Sequence, residues 1–294
     1  MTARPRHQPS GLYHLAIGDY TVTAVNDGTF QSSFDLVAGI SKEECIRIET
    51  AAFRPVPPKM TMNAFLLQLG DRTALVDTGC GTSSGPTLGM VCSNLAAMGV
   101  SPADIDTILV THMHPDHING LVTENGEAMF PNAELFVNEA ELQFFLDPMS
   151  PSRSPDGEPQ EFFEGFRRAT KPYVDRIRTV RDGPVFAGVS AVTQPGHTPG
   201  HTGWLIESGG DAVMIWGDIV HMPHLQFTAP EAGTILDIDR EQAVATRRRA
   251  LDQAATDRIR VAGIHLDFPA FGHVERRGQG YAFIPEVWRA VVGP

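Results

Sequence analysis

Between Leu109 and Leu121 the chain reads LVTHMHPDHINGL, placing His112, His114, Asp116 and His117 almost side by side. Imidazoles this dense are poor helix material and have no use on a solvated loop. A metal site uses them. Residues at i and i+2 of an extended segment point the same way, so His112 and His114 can converge on one ion. Asp116 and His117 lie just beyond, where the chain turns toward Gly120, and can serve a second ion close by. Imidazole and carboxylate without cysteine suit zinc first, with iron, manganese or cobalt as alternatives. Further donors stand at the ends of later apolar runs: His197 in VTQPGHTPGH, Asp218 closing AVMIWGD and His265 closing RVAGIH. These seven candidates exceed the four that one tetrahedral ion needs, and predict two ions.

The elements that must position these donors can be read from local patterns. YTVTAVNDGTF alternates like a strand running into an Asn-Asp-Gly turn. NAFLLQLGDRTALVDTGC reads as two strands joined at Gly70-Asp71. TLGMVCSNLAAMG has helical spacing and closes on Gly99, while Ser101 and Pro102 start a short helical turn that feeds the strand TILVTH. AELFVN then reads as a strand and EAELQFFLD as a helix. DPMSPSRSPDGEPQ reads as a long loop, either a surface connection or a lid. A helix over EFFEGFRRATKPYVDRI follows, then strands at VSAVTQ, HTGWLIES and DAVMIWGD, a helix over DREQAVATRRRALDQAATD and a strand at IRVAGIH. Strands cluster in both halves without the regular alternation of a doubly wound sheet. The prediction is an α/β sandwich of two sheets with helices outside. Residues 1–18 are expected to form an N-terminal arm and residues 19–294 one domain.

Length and composition narrow the function classes. The 294 residues are 42% hydrophobic and 20% charged, ordinary for a globular chain, and the net charge of −12 argues against nucleic acid as partner. The Arg247 to Arg249 run reads as a solvated helix face. Cys45, Cys80 and Cys92 have no paired spacing and read as free thiols of a reducing compartment. No run is long enough to span a membrane and no secretory h-region is present as written, so the expectation is cytoplasmic.

HMHPDH after a strand, DTG at Asp77 to Gly79, GHTPGH from Gly196, GD at Asp218 and the late His265 resemble the metallo-β-lactamase superfamily, in its order and over nearly the whole chain from about Tyr20. GPTLG, THMHPDH, FPNAELFV, GHTPGHT, LQF and FPAFGHV…GYAFIP are similar to the branch of methyl parathion hydrolase and related lactonases and arylesterases. The resemblance implies an αββα fold with the metals at the edge between the two sheets. It implies His112, His114 and His197 on the first ion, Asp116, His117 and His265 on the second, and Asp218 bridging both. Asp77 and Thr111 would orient these ligands, and His201 would be a hydrogen-bonded structural residue. His7 and His14 read as surface, and His273 as a turn or core contact. The lactonase branch carries a tyrosine three residues after the bridging aspartate and the methyl parathion hydrolase branch an apolar residue. This chain has His221, expected on the pocket wall with His224 as a substrate or leaving-group contact.

Two adjacent ions would hold a hydroxide for attack on a carbonyl or phosphoryl centre. No GxSxG motif is present, and no side-chain nucleophile is needed. Asp116 would accept or donate the proton, so Asp116, Asp218 and His221 are the expected catalytic residues. Phe144, Phe145, Phe162, Phe163, Phe166, Phe227, Phe268 and Phe271 read mostly as core, with some facing an apolar mouth suited to a small, neutral, hydrophobic substrate. The expectation is a metal-dependent hydrolase of lactone or aryl ester bonds with promiscuous organophosphate triesterase activity, as a monomer or homodimer. The alternatives are a β-lactamase, a glyoxalase-II-like thioesterase and, further off, an iron-dependent oxidoreductase of the same fold. Pro115 between His114 and Asp116, and the lack of a flavodoxin domain, argue against the last.

Overall fold

A computed structural model of the chain describes residues 8–83, 85–153 and 160–293. Two seven-stranded sheets form its centre. The first contains β1 (Leu12–Ile17), β2 (Tyr20–Gln31), β3 (Lys59–Gln68), β4 (Thr73–Val76), β5 (Thr107–Leu109), β6 (Glu134–Asn138) and β7 (Ile177–Val180), side by side in that order. The second contains β8 (Gly183–Phe186), β9 (Val189–Thr193), β10 (Thr202–Ser208), β11 (Asp211–Ile215), β12 (Arg260–Ala262), β13 (Phe271–Arg277) and β14 (Gly280–Pro285). β1 to β4 pair antiparallel and β4 to β7 parallel, whereas in the second sheet only β11 and β12 run parallel. A two-residue ladder between Val37–Ala38 and Gly233–Thr234 ties the halves together.

The strand sequences explain their places. β3 is buried at every position except its two ends, the pattern of a strand covered on both faces. β1 alternates between half-buried and buried residues, as an outer strand does. Phe65, Trp204, Ile206, Trp216 and Phe271 fill the space between the sheets. A buried side chain of this kind stabilises the fold by roughly 1.5–3 kcal/mol.

Helices cover the outside. They are α1 (Lys42–Ala51), α2 (Val91–Ala97), α3 (Pro115–Ile118), α4 (Glu139–Leu146), α5 (Ser150–Arg153), α6 (Gln160–Thr170), α7 (Pro223–Thr228) and α8 (Arg240–Asp257). Phe145 of α4 and Phe163, Phe166 and Ala169 of α6 pack with Leu135 and Val137 on the outer face of the first sheet. Leu251 and Ala254 of α8 join the core of the second sheet. The layers are therefore helix, sheet, sheet, helix. Among the described residues no helix is long and apolar enough to cross a membrane.

Four expectations change. Asn-Asp-Gly at 26–28 is not a turn but a bulge within β2, where the pairing with β3 shifts between Asn26 and Gly28. The bulge frees Asp27 to accept hydrogen bonds from the Cys80 and Val91 amides. The N-terminal segment enters the first sheet as β1, so an arm covering all of 1–18 is not what forms; residues 1–7, with His7, lie outside the described residues. The long loop contains α5, and its residues 154–159 likewise lie outside them. Arg247 is not on a solvated face. It is buried, donating to the carbonyls of Ile219, Pro230 and Ala232, because the loop after Asp218 leaves these acceptors facing α8.

Candidate metal centre

The seven predicted donors come together at one edge of the sandwich. His112 and His114 follow β5, and Asp116 and His117 sit in α3. His197 lies between β9 and β10, Asp218 after β11 and His265 after β12. Backbone bonds hold these segments in place across the sheets: Thr202 N donates to Thr111 O, and Asn63 N to Ile264 O. The Asn63 side-chain amide also donates to Ile264 O and Leu266 O, fixing the turn that carries His265. Gly217 adopts φ +58°, and a Cβ there would lie 2.5 Å from His201 Nε2, so glycine is required for Asp218 to turn inward.

Asp218 Oδ2 is the hub. It lies 3.0 Å from His265 Nε2, 3.4 Å from His117 Nε2, 3.6 Å from His197 Nε2 and 3.7 Å from His112 Nε2. His114 Nδ1 and His197 Nε2 are 3.1 Å apart. Asp116 Oδ2 stands 3.6 Å from His117 Nε2 and 3.7 Å from His265 Nε2. Four groups of potential ligand atoms result among the described residues: His112, His114 and His197; His112, His117 and Asp218; Asp116, His117 and His265; His197, Asp218 and His221. The histidines and Asp218 are almost fully buried, whereas the Asp116 side chain is 33% exposed, so the centre opens beside Asp116.

An oxygen holds Nδ1 of four of these rings. His112 Nδ1 faces Thr111 Oγ1 at 3.1 Å, His117 Nδ1 faces Asp77 Oδ2 at 2.7 Å, His197 Nδ1 faces Asp237 Oδ1 at 2.9 Å and His265 Nδ1 faces Thr61 O at 3.1 Å. A proton on each Nδ1 satisfies these oxygens and turns the Nε2 lone pair toward Asp218. Asp77 adopts φ +55°, a conformation aspartate tolerates better than most residues, and also accepts from Thr111 N and Thr111 Oγ1. His201 is hydrogen-bonded on both sides, to Gln194 O and from Asp218 N.

The polar atoms left over fit cations. His112 Nε2, His117 Nε2 and Asp218 Oδ1 are buried without a hydrogen-bond partner. An apolar surrounding makes such atoms costly. Two ring nitrogens facing each other at 3.1 Å, as in His114 and His197, also need a cation or proton between them. The electrostatics agree. Burial alone would raise the Asp218 carboxyl, yet His117, His265 and His221 around it hold it well below the carboxylate range. Burial lowers His112 well below the ordinary histidine value, with His117 and His114 adding to the effect. For His117 burial acts in the same direction, but Asp218, Asp116 and Asp77 outweigh it and carry the ring well above. Burial pushes His197 down to about 4 and His201 to about 3.

His221 and His224 separate. His221 Nε2 lies 3.1 Å from Asp218 Oδ2, its ring stacks on His265, and its Nδ1 is buried without a partner. His224 points away, 3.7 Å from Asp267 Oδ2, and lines a cavity of about 590 Å³ with Phe227, Phe268 and Phe283. Phe162 lies against the His114 ring, at 5.3 Å, while Phe145, Phe163, Phe166, Phe227 and Phe271 are core. Two carboxylates escaped the sequence reading. Asp237 reaches His197 from the loop before α8. Buried Glu141, in α4, is pushed up to about 7 by burial, against hydrogen bonds from Thr198 Oγ1 and the Met113 amide. Neither stands in a recognisable spacing, since each acts through hydrogen bonds to loops distant in sequence.

Residues 60–263 match the metallo-beta-lactamase superfamily, and the chain belongs to it. A "Probable metallo-hydrolase" of Mycobacterium tuberculosis is 30% identical over 202 residues, 54% of this chain and 59% of its own length. The chain thus spans less than two thirds of that relative. A "Ribonuclease Z" of Mycobacterium avium is 28% identical over 65% of this chain and 69% of its own. Among solved structures, the hydrolase AbOPH of the beta-lactamase superfamily superposes with a TM-score of 0.91 at 34% identity, covering 96% of this chain and all of that one. AidC, a dizinc quorum-quenching lactonase in complex with a product, superposes at 0.90 with 26% identity over 95% and 99%. The chain has the helix–sheet–sheet–helix fold of this superfamily.

Proposed function

We propose that the protein hydrolyses lactone or aryl ester bonds of small, neutral, hydrophobic substrates at a dinuclear centre, with organophosphate triesters as side substrates. The observation that carries this reading is Asp218. Its Oδ2 lies within 3.7 Å of His112, His117, His197 and His265, while its Oδ1 and two of the facing nitrogens have no partner. His112, His114 and His197 would hold one ion, Asp116, His117 and His265 the other, with Asp218 available to both. Two zinc ions bound there would supply Lewis acidity and acidify a water to near neutral pH. The chain supplies the rest. Thr111, Asp77, Asp237 and Thr61 keep the ring nitrogens oriented, and the buried ligands exclude bulk water. Asp116, at the open side, takes the proton released on attack and returns it to the leaving oxygen. The likeness to a lactonase supports a neutral substrate, and the net charge of −12 speaks against the RNA substrate suggested by the name of the Mycobacterium avium relative.

The zinc-reconstituted protein, assayed on an N-acyl lactone, an aryl ester, a phosphotriester, a thioester and a cephalosporin, tests the reading. The lactone or aryl ester should give the highest kcat/KM, and Asp218→Ala should abolish it. Preference for the thioester or the cephalosporin would replace the proposal with the corresponding hydrolase.

A further inference from the structure

One carboxylate outside the donor set touches both loops that carry a single group of ligands. Glu141 of α4 is 1% exposed. Its Oε1 accepts from the Met113 amide at 2.9 Å. Its Oε2 accepts from Thr198 Oγ1 at 2.6 Å and from the Gly200 amide at 3.0 Å. Met113 lies between His112 and His114, and Thr198 follows His197. The approach is close: a Cβ on residue 200 would lie 2.2 Å from the Glu141 amide nitrogen, so only glycine brings the second loop against the start of α4. The remaining ligands are held otherwise. His117 leans on Asp77 and His265 on Thr61 O, and neither contact involves α4.

We infer that Glu141 is a positioning residue for one ion of the pair, clamping the His112–His114 segment from the first half of the chain to the His197 loop from the second. The inference rests on the dinuclear reading above. Its chemistry follows from counting acceptors. Three donors converge on the side chain, two on one oxygen and one on the other, and a carboxylate has an acceptor on each. A glutamine of the same shape must turn its NH2 toward one loop, setting donor against donor and releasing that loop. Hydrogen-bond partners one step behind metal ligands commonly contribute 10–100-fold to metal affinity. Here the effect should fall on the ion of His112, His114 and His197 and spare the other.

Stepwise zinc dissociation constants measured by chelator competition on wild type, Glu141→Gln and Thr198→Val test this. Wild type should bind two ions. Glu141→Gln should bind one with wild-type affinity and the other 10–100-fold more weakly. Thr198→Val, which deletes one of the three donors and keeps the backbone, should weaken the same ion by a smaller factor and decides the matter should Glu141→Gln fail to fold. In both variants kcat should recover as zinc is raised, with KM unchanged. Fewer than two ions on wild type would sink the dinuclear reading itself and this inference with it. Two ions on wild type, with both constants unchanged or both weakened alike in the variants, would overturn the clamp alone. A purely structural role would lower Tm and leave the two constants as they are.

Discussion

His221 is the side chain at which this site departs from the two branches its sequence resembles. Its Nε2 lies 3.1 Å from Asp218 Oδ2, against 3.0 Å for His265, and its Nδ1 has no hydrogen-bond partner. Two roles fit: a hydrogen-bond donor to the substrate, or a further metal ligand, since His197, Asp218 and His221 also form a potential ligand group. His221→Leu separates them. As a substrate contact its loss should slow lactone or ester hydrolysis roughly five- to a hundred-fold, the cost of about 1–3 kcal/mol in the transition state. Aryl phosphotriesters, which depend on apolar contact, should suffer less, and zinc content should be unchanged. A fall in zinc content would assign His221 to the metal instead, and an unchanged ratio of kcat/KM between the two substrates would remove it from the pocket. At this scale the candidate donors were legible, because His112, His114, Asp116 and His117 crowd together along the chain, and the fold brings His197, Asp218 and His265 to them. Asp237 and Glu141 were illegible, because an isolated carboxylate next to an N-cap or inside a helix looks like any other.

At the scale of elements, α4 carries the cost of its clamp. Burial raises the Glu141 carboxyl to about 7. A carboxyl raised in the folded state contributes stability that is full below its unfolded value, near 4.5, and is lost as pH rises through about 7. Glu141→Gln removes that titration. In the metal-free protein its stability relative to wild type should therefore increase with pH between about 4.5 and 7, by up to roughly 3 kcal/mol. Denaturant melts of both proteins across this window measure it, and a difference independent of pH would contradict the raised value. Strands and helices with strong periodicity were read correctly: the hairpin at Gly70-Asp71, the Ser101 cap and the helix over residues 240–257 all form. The bulge at Asn26–Gly28 was mistaken for a turn because Asn-Asp-Gly is turn chemistry in isolation. Only pairing with β3, and the bonds Asp27 makes to Cys80 and Val91, keep the strand running through it. β1 was missed because its partner strand, not its own short alternation, orders it.

For the whole molecule, the two halves meet at the donors. Each sheet is assembled from its own stretch of chain, and each supplies part of the ligand set, so ions bound there would add cross-links to halves joined by core packing, a short ladder and hydrogen bonds between them. An ion that binds only the folded state stabilises it by about 2.7 kcal/mol when present at a hundred times its dissociation constant. Two such ions, removed by a chelator, should lower Tm by on the order of 10 °C, restored by adding zinc. The most direct test of the centre is its stoichiometry. Elemental analysis of protein purified without chelator, set against chain concentration and hydrolytic rate, should approach two metal equivalents per chain at full activity. One equivalent with full activity, stable to added metal, would contradict the dinuclear account.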